Sequence, residues 1–145
     1  MNLLELKPNT VFVTLKHPGT GLPLGVRVEV QSMQSDAVKA VERTLKNQAL
    51  KSGRNNVTAE KIDGNTVLIL AATVVNWEFY APEITPETTD SKGKKIPAVL
   101  GTVPDLDGDT NPPCNQANKV KLLSVAALAK QIDDVLGDDT LFFAG

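Results

Sequence analysis

The chain has 145 residues, of which 41% are hydrophobic and 22% are charged, and its formal net charge is −2. This composition predicts one soluble globular domain spanning residues 1–145, and a charge so close to zero supplies no basic field for nucleic acid. The single cysteine, Cys114, excludes an intrachain disulfide and any zinc site that needs several cysteines.

The apolar segments are too short to indicate a membrane protein. Residues 1–7 lack the long apolar core of a signal peptide. The longest apolar run, Val67–Val75, is interrupted by Thr73 and falls far short of the roughly 20 residues that span a bilayer. We therefore expect no membrane partner and a protein that is intracellular when made.

Two alternating segments predict an antiparallel β-hairpin near the N-terminus. Val11–Leu15 and Val26–Gln31 each place apolar side chains on one face and mostly polar ones on the other, which is typical of half-buried strands. Between them lies the turn His17–Gly21, where Pro18 and Gly21 break regular structure. A two-stranded ribbon is marginal alone, so this hairpin must pack on helices, gain a strand or pair with a partner chain.

The segment Ser35–Ser52 predicts a helix on the surface of the core. Ser35 and Asp36 are suitable N-terminal caps, and Gly53 is a suitable stop. Its apolar residues recur on one narrow stripe, which consists of Val38, Val41, Leu45 and Ala49.

The segment 57–80 supports two interpretations. Asp63-Gly64 is a hairpin signal, and Val67–Leu70 could be a buried strand. The alternative is a helix, because apolar residues and Thr66 fall at helical spacing at Ile62, Thr66, Leu70, Val74 and Trp77. We favour a mostly buried helix from about Thr58 to Phe79, disturbed at Gly64.

The segment Ala81–Pro113 contains six prolines and predicts an extended or flexible loop within the domain. The acidic run Asp105–Asp109 has alternate carboxylates that could converge on calcium. Gly108 comes too early for an EF-hand loop, however, and Gln116 stands where a bidentate Glu is needed. The pattern therefore favours an acidic turn, and no metal site is predicted.

Two helices are predicted after this loop. The first is Asn115–Leu123; the second is capped by Ser124 and ends at Gly137. The second helix places Val125, Leu128, Ile132 and Val135 on one face. The predicted fold class is therefore α+β: an N-terminal antiparallel hairpin packed on a small bundle of three to four helices, with a long irregular loop.

The chain has few groups that could carry out catalysis. His17 is the only histidine and lies in a turn, and Cys114 has no activating base nearby in the sequence. Gly19-Thr20-Gly21 lacks the Lys-Ser/Thr ending of a phosphate-binding loop, and no G-x-S-x-G elbow occurs. We predict no enzyme activity, no catalytic residue and no cofactor.

Five segments follow one another in an informative order: Leu15–Gly21, Ala40–Arg43, Val75–Glu78, Leu122–Ile132 and Phe142-Phe143. This order resembles that of small proteins encoded in the tail modules of long-tailed bacteriophages, the tail assembly chaperones or a tail-module family grouped with them. In that family a hairpin with a Pro-x-Thr-Gly turn precedes helices, a Gly-Trp-like element and a closing helix near a terminal Phe. The resemblance implies contact with tape-measure and tail-tube proteins in the host cytoplasm during assembly, where an apolar helix face covers amphipathic client helices.

This chain departs from the family pattern at His17, at Asn76 and in the longer, proline-rich stretch Glu78–Asn118. An extended arm is also what a permanent virion component uses to link neighbouring subunits. The alternative is therefore a structural virion protein: a capsid decoration, a head–tail connector or a minor tail component. Its partners would be other virion subunits, and a homo-oligomer is compatible with either hypothesis. A protein with no phage link is the third.

The predicted interface residues fall into three groups. Leu15, Pro18 and Gly21 shape the hairpin; Val74, Trp77, Leu128 and Ile132 build either the core or a client groove; Phe142 and Phe143 either tuck onto the core or anchor in a partner's pocket. The anchor interpretation predicts that changing both phenylalanines to Ala weakens partner binding and leaves the monomer folded.

Overall fold

The computed structural model describes residues 2–3, 8–52 and 59–143. In chain order the strands and helices are β1 Val11–Lys16, β2 Pro23–Val30, α1 Asp36–Ser52, α2 Ala59–Thr73, β3 Val74–Phe79, β4 Glu83–Thr85, β5 Thr88–Thr89, β6 Lys95–Ile96, β7 Val99–Leu100, α3 Gln116–Leu123, α4 Ala126–Leu136 and α5 Asp139–Phe142. The fold is α+β, as the sequence predicts, with an antiparallel hairpin near the N-terminus and a long excursion between β3 and α3.

The predicted hairpin forms and gains a third strand, so that the sheet has the antiparallel order β1-β2-β3. Alternation in β1 and β2 determines which face is covered, because successive side chains point to opposite faces. The buried face carries Val13, Leu15, Val26, Val28 and Val30. β2 begins at Pro23, three residues before the predicted start, and a proline is tolerated at the first residue of a strand.

The prediction of one helix from Thr58 to Phe79 is wrong at its C-terminal end, over Val74–Phe79. α2 ends at Thr73, and β3 begins at the next residue and pairs with β2, with Val28 opposite Trp77. The Gln31 N–H donates to the Thr73 carbonyl at 2.7 Å, so pairing with β2 starts where the helix stops. Helical spacing at Val74 and Trp77 was outweighed because β2 offers a row of backbone partners to the β-branched run that starts at Thr73.

The helical part of that prediction agrees with the structure, but the disturbance expected at Gly64 is absent. α2 runs through Gly64 without interruption, so neither the hairpin at Asp63-Gly64 nor the strand at Val67–Leu70 forms. Thr58, the expected cap, lies outside the described residues.

α1 begins and ends close to its predicted bounds, but its expected side-chain cap is not made. The Ser35 carbonyl accepts the Lys39 N–H at 3.1 Å, whereas the Ser35 hydroxyl has no hydrogen-bond partner among the described residues. Val38 is fully buried, and Val41 and Leu45 are half-buried. Ala49 lies where side chains are not described, and Gly53 lies outside the described residues.

The C-terminal helices follow the predicted order with one change at their junction. The Asn115 side chain caps α3 by accepting the Asn118 N–H at 2.9 Å, and Gly137 ends α4. Ser124 was expected to cap α4, but its hydroxyl donates to the Val120 carbonyl at 2.6 Å and so belongs to the end of α3. Val125 stands at the start of α4 without a side-chain cap.

α4 covers the buried face of the sheet and also closes one position of its edge. Ile132 and Leu136 belong to the same core cluster as the inward residues of β1 and β2. The Gln131 side chain accepts the Lys16 N–H and donates to the Lys16 carbonyl, each at 2.8 Å. Its amide therefore takes the place of a neighbouring strand at this position of β1, and an edge covered in this way is blocked to other strands.

The predicted irregular loop Ala81–Pro113 contains regular structure in its first two thirds. β4 pairs with β7, and β5 pairs with β6, so residues 82–101 form one two-stranded ribbon, which we call the ribbon. Pro86 and Pro97 lie in the gap between its two ladders, where their missing N–H groups remove hydrogen bonds. At its tip the Asp90 carboxylate accepts the Lys92 and Lys94 N–H groups at 2.9 and 2.8 Å.

The root of the ribbon is fixed against the sheet at Gly25. Gly25 has a φ of 94°, and its carbonyl accepts the Tyr80 N–H at 2.8 Å. A Cβ at this position would lie 2.3 Å from the Tyr80 carbonyl oxygen and under 3 Å from ring atoms of Pro82 and Pro104. Only glycine therefore allows β2 to approach the segments that enter and leave the ribbon this closely.

Candidate protein-interaction site

The hairpin turn is organised by its histidine. The His17 Nδ1 accepts the Gly19 N–H at 3.0 Å and the Thr20 N–H at 3.2 Å, while the His17 carbonyl accepts the Gly21 N–H at 2.8 Å. Pro18 and Gly21 are exposed, and Gly21 has a φ of 72° with open space around it. The imidazole thus holds the loop shape, and the turn is exposed to solvent.

Most of the other predicted interface residues lie in the core. Leu15, Ile132 and Phe142 are fully buried, Val74 is nearly so, and Leu128 is half-buried against the same cluster. For Ile132 and Leu128 the core alternative therefore describes their position. Val74 belongs to the core and also lines a cleft described below.

The terminal phenylalanines tuck back onto the core. Phe142 has no exposed surface, Phe143 is half-buried, and the Phe142 carbonyl accepts the Asn9 N–H at 2.7 Å. In this conformation Phe142 cannot reach a partner's pocket, so of the two interpretations the core one describes Phe142 and the anchor one does not. The physical reason is that the large apolar ring of Phe142 is stabilised by joining the core cluster, which also contains residues of β1 and α4.

Trp77 ties the returning chain to the sheet. It is half-buried on β3, its ring centroid lies 5.8 Å from that of Phe79, and its indole N–H donates to the Pro112 carbonyl at 2.9 Å. Pro112 itself is buried. Trp77 therefore positions the segment that leads from the ribbon into α3, a role that the sequence alone did not indicate.

A cleft of about 650 Å³ opens between α1, α2 and β3. Small and aliphatic side chains form much of its lining, among them Ala40, Val41, Leu45, Leu68, Ala72 and Val75. Polar groups such as Thr44, Gln48 and Gln116 also line it, and Lys119 is its one charged lining residue among those described. We call this the α1–α2 cleft. It is the place where the apolar stripe of α1 is left half-covered, since Val41 and Leu45 are only half-buried.

A second, smaller cleft of about 460 Å³ lies between α2, α3 and α4. Its apolar lining consists of Val67, Leu70, Leu123, Ala126 and Ala129, and α4 adds one positive and one negative side chain, Lys130 and Asp133. We call this the α2–α4 cleft. The four residues Asp133, Asp134, Asp138 and Asp139 are exposed at the end of α4 and the start of α5.

The uncovered face of the sheet is polar with one aromatic ring. The Arg27 guanidinium lies 4.4 Å from the centroid of the Phe12 ring and pairs with the Glu78 carboxylate at 3.2 Å. The Thr10 hydroxyl donates to Glu29 at 2.7 Å. Because these charges are already paired across the strands and exposed, the face provides a hydrated surface rather than an apolar patch.

The groups considered for chemistry have structural positions. Burial raises the pKa of the Cys114 thiol, and the nearby positive charge of Lys119 offsets part of that rise, so the thiol is less ionised than a free cysteine. In the acidic turn Asp105 accepts the Gly108 N–H at 2.8 Å, and Asp107 pairs with Lys121 at 3.3 Å. Within the described residues no group of three His, Cys, Asp or Glu side chains is placed to hold a metal ion.

Four exposed aliphatic residues of the ribbon were not identified as surface candidates from the sequence: Ile84, Ile96, Val99 and Leu100. They flank the turn signal Lys92-Gly93, which could have identified a hairpin, but Pro86 and Pro97 argued against strands.

Across the described part of the chain, no helix is long and apolar enough to cross a membrane. Comparison of the chain with protein-family models, curated proteins and solved structures finds no match.

Proposed function

We propose that this protein acts by protein–protein contact as a tail-assembly-chaperone-like protein of long-tailed bacteriophages, binding amphipathic helices of tape-measure or tail proteins. The order of sequence segments supports the phage assignment. The observation that carries the binding mode is the half-covered apolar stripe of α1 beside α2. A helix that lays its own apolar face between two helices is a common recognition mode.

The α1–α2 cleft suits such a client in its chemistry. Among the described residues, Lys119 is the one charge in its lining, and the small lining residues let another helix backbone approach closely. The Gln116 amide also lines the cleft and can hydrogen-bond polar residues that border the client's apolar stripe. The preferred client is therefore an amphipathic helix with a carboxylate near Lys119.

The test is binding of a tape-measure protein from a long-tailed phage, measured with purified proteins. Replacing Val41 and Leu45 with Glu places two charges on the cleft floor, and we expect affinity to fall by about tenfold or more. The matched control replaces Glu42 and Arg43, which are exposed on α1, with Lys and Glu and should leave affinity unchanged. Equal binding by both variants, each folded by circular dichroism, would contradict the cleft as the client site.

The second candidate function is a structural virion protein, and the exposed ribbon is the observation that favours it. An arm with aliphatic side chains on its surface is suited to lie on a neighbouring subunit in an assembly. Mass spectrometry of purified particles separates the two functions. A chaperone leaves before maturation, so its stoichiometric presence in particles would establish the structural role. Its absence from particles, together with co-purification with the tape-measure protein, would establish the chaperone role.

A further inference from the structure

The ribbon exposes apolar surface that its own chain does not cover. All residues of Glu83–Thr89 and Ser91–Pro97 are exposed, and the ribbon's strands contact mainly each other. Four aliphatic side chains lie open to solvent: Ile84 at 48%, Ile96 at 46%, Val99 at 53% and Leu100 at 59%. A two-stranded ribbon is marginally stable alone, and exposed aliphatic side chains on this ribbon offer apolar surface that another molecule can cover.

The ribbon also carries a positive tip. Lys92, Lys94 and Lys95 lie at or beside the turn, and none of them forms an ion pair with another described residue. Asp90 is the nearest acid, and its carboxylate accepts backbone N–H groups of the turn. The partner surface should therefore combine an apolar groove with negative charge beside it.

The same chain presents an apolar groove with negative charge beside it at the α2–α4 cleft and the end of α4. The α2–α4 cleft has an aliphatic and alanine lining, with Lys130 and Asp133 of α4 beside it. These two charges offset each other, so the excess negative charge lies at the aspartates that follow. Asp134 follows on α4, and Asp138 and Asp139 follow at α5; all are exposed, and none is ion-paired among the described residues. The C-terminal end of α4 adds the negative end of its helix dipole to this region.

We propose that the ribbon of one copy docks on the α2–α4 cleft of a second copy, with its lysine tip against the aspartates at the end of α4. Charge complementarity selects a second copy as the occupant. Two different surfaces meet, so the contact is head-to-tail and adds copies in one direction, closing a ring or extending a filament. The inference concerns self-association and holds whether or not the α1–α2 cleft binds a tail protein.

The experiment is sedimentation velocity of the purified full chain over a range of concentration and salt. We expect association that weakens as salt rises, because the charges that meet are exposed. Two variants, K92E/K94E/K95E and D133K/D134K, each bring like charges together at the contact. We expect the dissociation constant for self-association to rise about tenfold or more in each. The control K39E/K46E changes exposed charges on α1 and should associate as the wild type does.

Mixing the two charge-reversed variants gives the decisive result. Each ribbon then finds a groove of opposite charge on the other variant, so the mixture should associate although neither variant does so alone. A wild-type chain that stays monomeric at high concentration overturns the proposal. Charge-reversed variants that associate like the wild type overturn it as well, and so does a mixture of folded variants that fails to assemble.

Discussion

Two β-hairpins in the described part of the chain differ in how far their side chains are buried. The β1–β2 hairpin has strict alternation, so its valines and Leu15 form one continuous apolar face, and α4 covers it. The ribbon carries its aliphatic residues between prolines, threonines and charges, and its side chains are exposed. Alternation without interruption creates a face that its own chain can bury, whereas scattered aliphatic residues leave a surface for other molecules.

The largest expected effect is at the core side of this comparison. Changing Phe142 to Ala leaves a cavity at a fully buried position of the core cluster. We expect a loss of about 3–5 kcal/mol in the free energy of unfolding. Chemical denaturation followed by circular dichroism measures it. Phe143→Ala is the matched control, since Phe143 is half-buried and should cost clearly less. Equal small losses would show that Phe142 is not a core residue.

The next effect is at Gly25, where the two hairpins meet. In Gly25→Ala the new Cβ meets the Tyr80 carbonyl oxygen at 2.3 Å, so the root of the ribbon must move away from β2. We expect a loss of about 3 kcal/mol, above the roughly 1–2 kcal/mol that a positive φ alone costs. Gly21→Ala is the comparison, because Gly21 also has a positive φ but open space around it. If both variants unfold at the same denaturant concentration, the close approach contributes nothing.

A smaller effect is expected where the ribbon segment returns to the sheet. Trp77→Phe keeps a ring beside Phe79 and removes the indole N–H that donates to Pro112 at 2.9 Å. The Pro112 carbonyl loses that partner, so stability should fall by about 1–2 kcal/mol. Trp77→Ala should fall further, since it also removes the ring packing. Thermal unfolding of both variants checks the order, and a neutral Trp77→Phe would show that the bond is weak.

The smallest effect is expected on the ribbon itself. Val99 and Leu100 are more than half exposed, so changing both to Ser should alter the stability of the monomer by no more than about 0.5 kcal/mol. The same variant should associate more weakly in sedimentation velocity. Denaturation is measured at a concentration where the chain is monomeric. A large loss of monomer stability would mean that these side chains belong to a core and that the two hairpins do not differ.

Local patterns predicted much of the fold. The β1–β2 hairpin, α1, the Asn115 cap of α3 and the end of α4 at Gly137 lie close to where periodicity and capping residues indicated them. These features depend on residues that are neighbours in the chain. The candidate site was less predictable, because burial depends on which elements meet: Leu15, Ile132 and Phe142 have the same apolar character whether they face a core or a partner.

The α+β class and the turn at His17–Gly21 follow from the sequence alone. So do the small net charge and the lack of an intrachain disulfide, since the chain has one cysteine. Tertiary structure decided the switch from α2 to β3 at Thr73, because the free edge of β2 provides backbone partners that no local pattern can reveal. It also decided that Phe142 is buried and that the ribbon is exposed. Both outcomes follow from the same cause: a side chain is covered only where another element of the fold reaches it.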